Sequence, residues 1–261
     1  MKKVRKKKKK PESYTDRSYR KLSNASDLIS TTIRIEETDL HILADYDVTP
    51  SATDLILQYR SQLENYIRKK SGFSASLDPI AVDKLAPSMV RSMMEAGLAA
   101  GVGPMAAVAG AVAEYVGFGL LNDGCREVMV ENGGDVFLNR KNDCSVAIFA
   151  GESPLSYKVG VRLKALDMPL GVCTSSGTVG HSLSFGDADS VTVIANSTPV
   201  ADAAATRLGN EVGYGGGGKS GMQNALAKAA EIDGISGVVV ICGELMGAYG
   251  EVELVEVDLQ E

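Results

Sequence analysis

Apolar and polar positions alternate with period two near the start of the chain. Thr31-Thr-Ile-Arg-Ile-Glu36 places Ile33 and Ile35 on one phase; Asp39-Leu-His-Ile-Leu-Ala44 does the same with Leu40, Ile42 and Ala44. That pattern predicts a hairpin of two half-buried strands. His41 falls on the opposite phase and is expected exposed or half-buried. From Pro50 the period lengthens. Leu55, Leu57, Tyr59, Leu63 and Ile67 mark one helical face, ending at Arg68-Lys-Lys70, with Ser51 as the expected N-cap and Asp54 three residues on. A second helix opens at Ala86-Pro-Ser-Met-Val90 and runs to Ala100. A third starts at Gly103-Pro104, where proline is tolerated in the first turn, and runs from Met105 to Leu120.

Short β-branched runs follow. They predict strands at 126–130, 136–139, 145–150, 158–163, 170–174, 190–195, 237–242 and 252–257, with helices at 199–212 and 221–232. Hairpins followed by helices predict an α+β fold rather than regular βαβ alternation. Residues 26–261 read as a single domain, and 1–25 as a polar, basic tail expected to be poorly ordered.

Composition narrows this picture. A 261-residue chain with 44% hydrophobic and 23% charged residues can bury a sizeable core. Eight of the first ten residues are Lys or Arg; removing their charge from the net −6 leaves −14 on the rest. Such an arm can meet nucleic acid or a membrane surface, but it has no interleaved aromatic residue and no apolar segment after it. No specific nucleic-acid partner, signal peptide or amphipathic anchor is expected. The most apolar stretch, 96–113, is broken by Gly101, Gly103, Pro104 and Gly110, so no membrane span is expected. The four cysteines form no Cys-x-x-Cys and the two histidines complete no zinc set. Buried thiols and a cytoplasmic location fit this best.

The chemistry concentrates in three places. Thr174-Ser-Ser-Gly-Thr-Val-Gly180 is a turn rich in hydroxyls and backbone N–H groups, with His181 directly after it and Cys173 directly before. Thr174, Ser175, Ser176 and Gly177 can wrap a phosphate or ribose, and His181 can act as a general base or as a structural hydrogen-bonding residue. On the following helix, Asp202 and Thr206 lie one turn apart, two hard oxygen donors suited to magnesium beside a phosphate. The plain alternative is a helix N-terminal Asp and a Thr bonding back to its own helix. Gly133-Gly134-Asp135 can bring backbone close to a ligand, with Asp135 accepting from a ribose or base and Glu131 and Asn132 as weaker candidates.

These motifs, in this order, resemble the ApbE family, the FAD:protein FMN transferases. The resemblance rests on Thr174-Ser-Ser-Gly177, His181, Ser190-Val-Thr-Val193, Ala201-Asp-Ala-Ala-Ala-Thr206 and the Gly133-Gly134-Asp135 turn. It is strong over about 95–210. Val102-Gly-Pro-Met-Ala-Ala-Val-Ala-Gly-Ala111 and Glu37-Thr-Asp-Leu40 are closer still to an uncharacterised branch of that family. The resemblance implies a T-fold-type antiparallel sheet backed by helices. It also implies a magnesium ion on Asp202 and Thr206, FAD as substrate or ligand, a protein hydroxyl as acceptor, and catalytic roles for His181 and Asp202.

The chain departs from the family pattern at one point. Where that family has Ala-Lys-Gly followed by an aromatic residue, this chain has Val108-Ala109-Gly110-Ala111, and Glu114 stands where an acid falls further along the helix. Loss of the lysine removes a positive charge. A non-catalytic flavin- or nucleotide-binding protein of the same fold, or an enzyme for another phosphorylated ligand, therefore stands beside the transferase reading. Gly213-Tyr-Gly-Gly-Gly-Gly-Lys-Ser220 matches the phosphate-loop pattern letter for letter, yet a helix precedes it where a buried strand is required.

Overall fold

Near-continuous apolar runs, such as Val191-Thr-Val-Ile-Ala195 and Val238-Val-Val-Ile-Cys242, supply a sheet that is covered on both faces. The computed structural model describes residues 27–176 and 188–257. Eight strands form its main sheet: β1 (Ile29–Ile35), β2 (Thr38–Ala44), β3 (Val128–Asn132), β4 (Asp135–Asn139), β7 (Leu170–Ser175), β8 (Ser190–Ala195), β9 (Ile235–Cys242) and β10 (Leu245–Gly250), in that spatial order. Each neighbouring pair is antiparallel. Between β4 and β7 the chain makes an excursion through β5 (Cys144–Ala147) and β6 (Val159–Leu163). These join β11 (Glu253–Glu256) in a three-stranded sheet, order β11-β6-β5.

Four helices lie on one face of the main sheet, α1 (Thr49–Lys69), α3 (Val108–Asn122), α4 (Thr198–Tyr214) and α5 (Gly218–Ala229), and α2 (Ser88–Ala100) packs against α1, α3 and α4. Against them the sheet turns Leu40, Ile42, Val128, Val130, Phe137, Val193, Val238 and Val240. The outer face packs Val136, Leu138, Val172, Ile194, Val239 and Ile241 against Ile148, Ala150, Val161 and Leu163 of the small-sheet region. The molecule is therefore three layers, with one core on each side of the central sheet.

Several expectations are corrected. His41 is buried, not exposed, because the outer phase of β2 is covered; its Nε2 lies 2.8 Å from Ser30 Oγ. Ser51 is not the N-cap of α1. That helix starts at Thr49 after Val48, and Asp47 Oδ1 accepts the Thr49 N–H at 3.0 Å. The expected strand at 145–150 ends at Ala147. The stretch 104–122, a short 3-10 turn continuing into α3, is long and apolar enough to cross a membrane by length and composition, contrary to expectation. Glycines that read as breakers are packing sites inside it. A Cβ on Gly117 would collide with the Phe137 ring and one on Gly119 with Leu55, so α3 lies closer to its neighbours than side chains would permit. More than half of its most apolar window is buried inside the fold.

Candidate functional site

Alternation along β7 sends Gly171, Cys173 and Ser175 toward the helices. A Cβ on Gly171 would sit 2.5 Å from Thr198 Cα, so the first turn of α4 rests directly on the strand backbone. One helical turn advances about 6 Å per four residues, nearly the rise of two strand residues. Successive turns of α4 therefore step along alternate residues of β7. Cys173 Sγ donates to Thr198 O at 3.4 Å, Asp202 comes next, and a further turn carries Thr206 on toward the Ser175 end. Asp202 and Thr206 are both buried, and the Ser175 hydroxyl is buried with no hydrogen-bond partner.

Asp135 arrives from the other side. Gly133 and Gly134 both have positive φ, +69° and +109°, which suits the two-residue turn between β3 and β4. Glu131 Oε1 accepts the Gly134 N–H at 3.0 Å and braces the turn. Asp135 then pairs directly with Cys173 in the β4–β7 ladder, so the two side chains share a face. Asp135, Cys173 and Asp202 converge from three elements.

Their electrostatics follow from burial. Loss of solvent pushes the Asp135 carboxyl up to about 7, and the nearby Glu131 charge adds to this; the Cys173 thiol and the Thr174 N–H work against it. Asp202 is raised well above the usual carboxylate range, first by burial and then by Asp135, while the Gly110 and Ala109 N–H groups pull the other way. Cys173 is raised by burial and then by both carboxylates. Among the described residues no Lys or Arg acts on either aspartate.

The α3 N-terminus completes the site. Gly110 N–H donates to Asp202 Oδ2 at 2.9 Å, and Glu114 Oε2 in turn accepts the Thr198 N–H at 2.6 Å. A Cβ on Gly110 would lie 2.5 Å from Thr198 O and 2.9 Å from Asp202 Cβ, so only glycine permits this approach. Asn132 Nδ2 donates to Ala109 O at 3.1 Å and ties β3 to the same turn. The first turn of α3 is thus directed at the chain's own Asp202.

Not every expected site residue faces this point. Thr174 projects to the outer face, where its Oγ1 lies 2.9 Å from Thr192 Oγ1. Ser176 follows β7. Gly177 and His181 lie outside the described residues. Among the described residues no group of three His, Cys, Asp or Glu side chains is placed to hold a metal; a cation here would rest on mixed oxygen donors. Gly213 and Tyr214 finish α4, so the phosphate-loop pattern has the wrong structural context. Sequence placed an acid at Glu114 but not its part as a cap for α4, since its partner is distant along the chain.

Comparison with known proteins agrees with this architecture. Residues 20–254 match the family described as AbpE bacteria. The chain is 40% identical over 235 residues to the UPF0280 protein of Methanococcus aeolicus, covering 88% of this chain and 94% of that one. It is 43% identical over 230 residues to the UPF0280 protein of Methanocaldococcus jannaschii, covering 87% and 93%. Among solved structures, a mutant of the flavin transferase ApbE from Vibrio cholerae aligns with TM-score 0.53 at 16% identity, over 85% of this chain and 96% of that one. The ApbE protein of Thermotoga maritima aligns with TM-score 0.54 at 13% identity, over 85% and 97%. At these identities the solved structures establish the shared fold.

Proposed function

The chain belongs to the AbpE bacteria family, and from that premise we propose that it is a magnesium-dependent, flavin transferase-like enzyme acting on FAD and a protein hydroxyl. One observation carries the reading: the convergence of Asp202 with Asp135 and Cys173 at the end of β7, with Thr206 one turn beyond. The donor set fits a hard cation. Asp202 and Thr206 offer oxygens from one helical face, and two buried carboxylates stand there with no Lys or Arg of the described residues acting on them. When bound, magnesium would supply positive charge to a pyrophosphate.

The remaining roles belong to the chain. The Gly133–Gly134 turn lets a nucleotide approach backbone closely, and Asp135 accepts from its ribose or base. Ser175, Ser176 and Gly177 would hold phosphate oxygens. In the reaction, the FAD pyrophosphate P–O bond breaks and a phosphodiester forms between FMN and the acceptor hydroxyl. AMP leaves, and His181 takes the hydroxyl proton. A cytoplasmic location goes with this reading, in keeping with four free cysteines.

The test is chromatographic. FAD is incubated with protein and a candidate acceptor, with and without magnesium, beside Asp202→Ala. Metal-dependent AMP release that disappears in Asp202→Ala supports the reading. Intact FAD with every acceptor tried, together with metal-independent FAD binding, favours the binding-protein alternative. That alternative draws on one observation, the missing lysine in Val108-Ala109-Gly110-Ala111.

A further inference from the structure

The two edges of the main sheet are finished differently. β1 forms one edge, and apart from Ile29 at its start its exposed positions are Ser30, Thr32 and Arg34. Polar and charged side chains along an edge discourage another strand from adding to it. β10 forms the other edge. Its six residues, Leu245-Met-Gly-Ala-Tyr-Gly250, include no charge and no proline. Leu245, Met246 and Tyr249 leave 44%, 40% and 38% of their surface exposed, so apolar groups line this edge on both faces of the sheet.

The β10 edge is also held in shape. Asp189 Oδ2 accepts the Gly243 N–H at 2.7 Å and Ser153 Oγ donates to Gly243 O at 2.6 Å, which pins the β9–β10 turn from two sides. At the far end the Glu251 N–H donates to Ser236 O at 2.8 Å. Cys242 pairs with Leu245 across the two-residue turn Gly243-Glu244, so Leu245, Gly247 and Tyr249 bond inward to β9. The backbone N–H and C=O groups of Met246, Ala248 and Gly250 therefore point away from the sheet, and among the described residues no strand pairs with them.

We propose that β10 is a pairing edge for a second copy of this chain, which adds its own β10 antiparallel and joins the two main sheets into one. The strand is its own complement. About a two-fold axis at Ala248, Met246 falls opposite the partner's Gly250 and Ala248 opposite its own copy, so all three outward residues bond in one ladder. Tyr249 falls opposite the partner's Gly247 on the helix side, where α5 sets Met222 and Leu226 directly over that glycine. A large side chain thus meets a glycine on both faces. The flanking acids do not oppose one another: Glu251 meets the partner's Leu245, and Glu244 meets the partner's Val252. An axis at Gly247 would bond only Met246 and Ala248, and would set Leu245 against Tyr249 and glycine against glycine. The pairing stands on the sheet edge and does not need the transfer reaction.

The test is sedimentation velocity of the full chain over a wide range of protein concentration, with hydrogen exchange read on the 245–250 segment. Wild type is expected to pass from monomer to dimer as concentration rises, with slower exchange at 245–250 in the dimer. Ala248→Pro removes only an outward N–H, so the β9–β10 pairing survives while the dimer weakens about tenfold or more. Met246→Lys leaves the backbone intact and puts a charge where the second strand would cover it, and should weaken the dimer likewise. Thr32→Pro, the matching change on the β1 edge, should leave dimerisation unchanged. Melting temperatures near that of wild type show that the variants fold; should Ala248→Pro fail to fold, Met246→Lys decides. A monomer at every concentration overturns the proposal. So does a dimer whose 245–250 segment exchanges as fast as in the monomer, or one of equal affinity in wild type and Met246→Lys.

Discussion

Asp202 and Glu114 each hold the start of the other's helix. Asp202, on α4, accepts the Gly110 N–H of α3 at 2.9 Å; Glu114, on α3, accepts the Thr198 N–H of α4 at 2.6 Å. Donor and acceptor are one turn apart on each helix, so each first turn is held by a carboxylate from the second turn of the other. Each carboxylate meets orphan N–H groups and the positive end of a helix dipole. Glu114→Ala should therefore lower stability by about 1–2 kcal/mol in urea titration, the scale of a lost helix cap. Glu114→Gln keeps an acceptor oxygen and should recover most of that loss. Equal losses in both would assign the effect to charge rather than to the cap.

The close approach of α3 to α4 depends on one missing side chain. Gly110→Ala would place its Cβ 2.5 Å from Thr198 O, and the nearest atoms are backbone, which cannot swing aside. A loss of about 2 kcal/mol or more is expected, the scale of an overpacked core, together with weaker binding at Asp202. Thermal melts and manganese titration would measure the two effects.

Metal binding itself should follow Asp202. Manganese, detected by its electron paramagnetic resonance signal, is expected to bind the wild-type chain and to lose at least tenfold in affinity in Asp202→Asn. Thr206→Val should weaken binding less, because a hydroxyl contributes no net charge. Unchanged affinity in Asp202→Asn would remove that residue from the cation site.

Acidity gives a further test. The Asp135 carboxyl is raised to about 7 in the fold from an ordinary 3.8. A raised acid binds its proton more tightly when folded, so its contribution to stability is complete below the unfolded value and is lost as pH rises through the folded one. Without divalent cations, the melting temperature should fall between about pH 4 and pH 7 more steeply in wild type than in Asp135→Asn. Each unit of upward shift corresponds to about 1.4 kcal/mol of ionisation cost. A slope identical in the two proteins would contradict the burial argument.

The sequence conveyed local structure better than long-range structure. The β-branched runs located β7 and β8, and the alternation at 31–44 located β1 and β2. It did not reveal β10, whose Leu245-Met-Gly-Ala-Tyr-Gly250 has two glycines, is largely exposed on both faces and lacks alternation. His41 was misplaced because alternation assigns phases but does not say whether a second layer covers the outer one. In the site, Asp202, Thr206 and Asp135 stood out by residue type. Their dependence on Gly110, Glu114 and Asn132 did not, since hydrogen bonds between residues far apart in sequence leave no local period.

The small sheet takes its third strand from the far end of the chain. Val257 N–H donates to Lys158 O at 2.9 Å, one residue from Tyr157, and β11 runs along β6 beyond it. β11 therefore works as a latch on a loop encoded about a hundred residues earlier. Trimming or fusing near 253–257 would unpair β6 along one edge and release that loop without touching Asp202, Thr206 or Asp135, so a lowered melting point in such a variant would report mechanical release rather than lost chemistry.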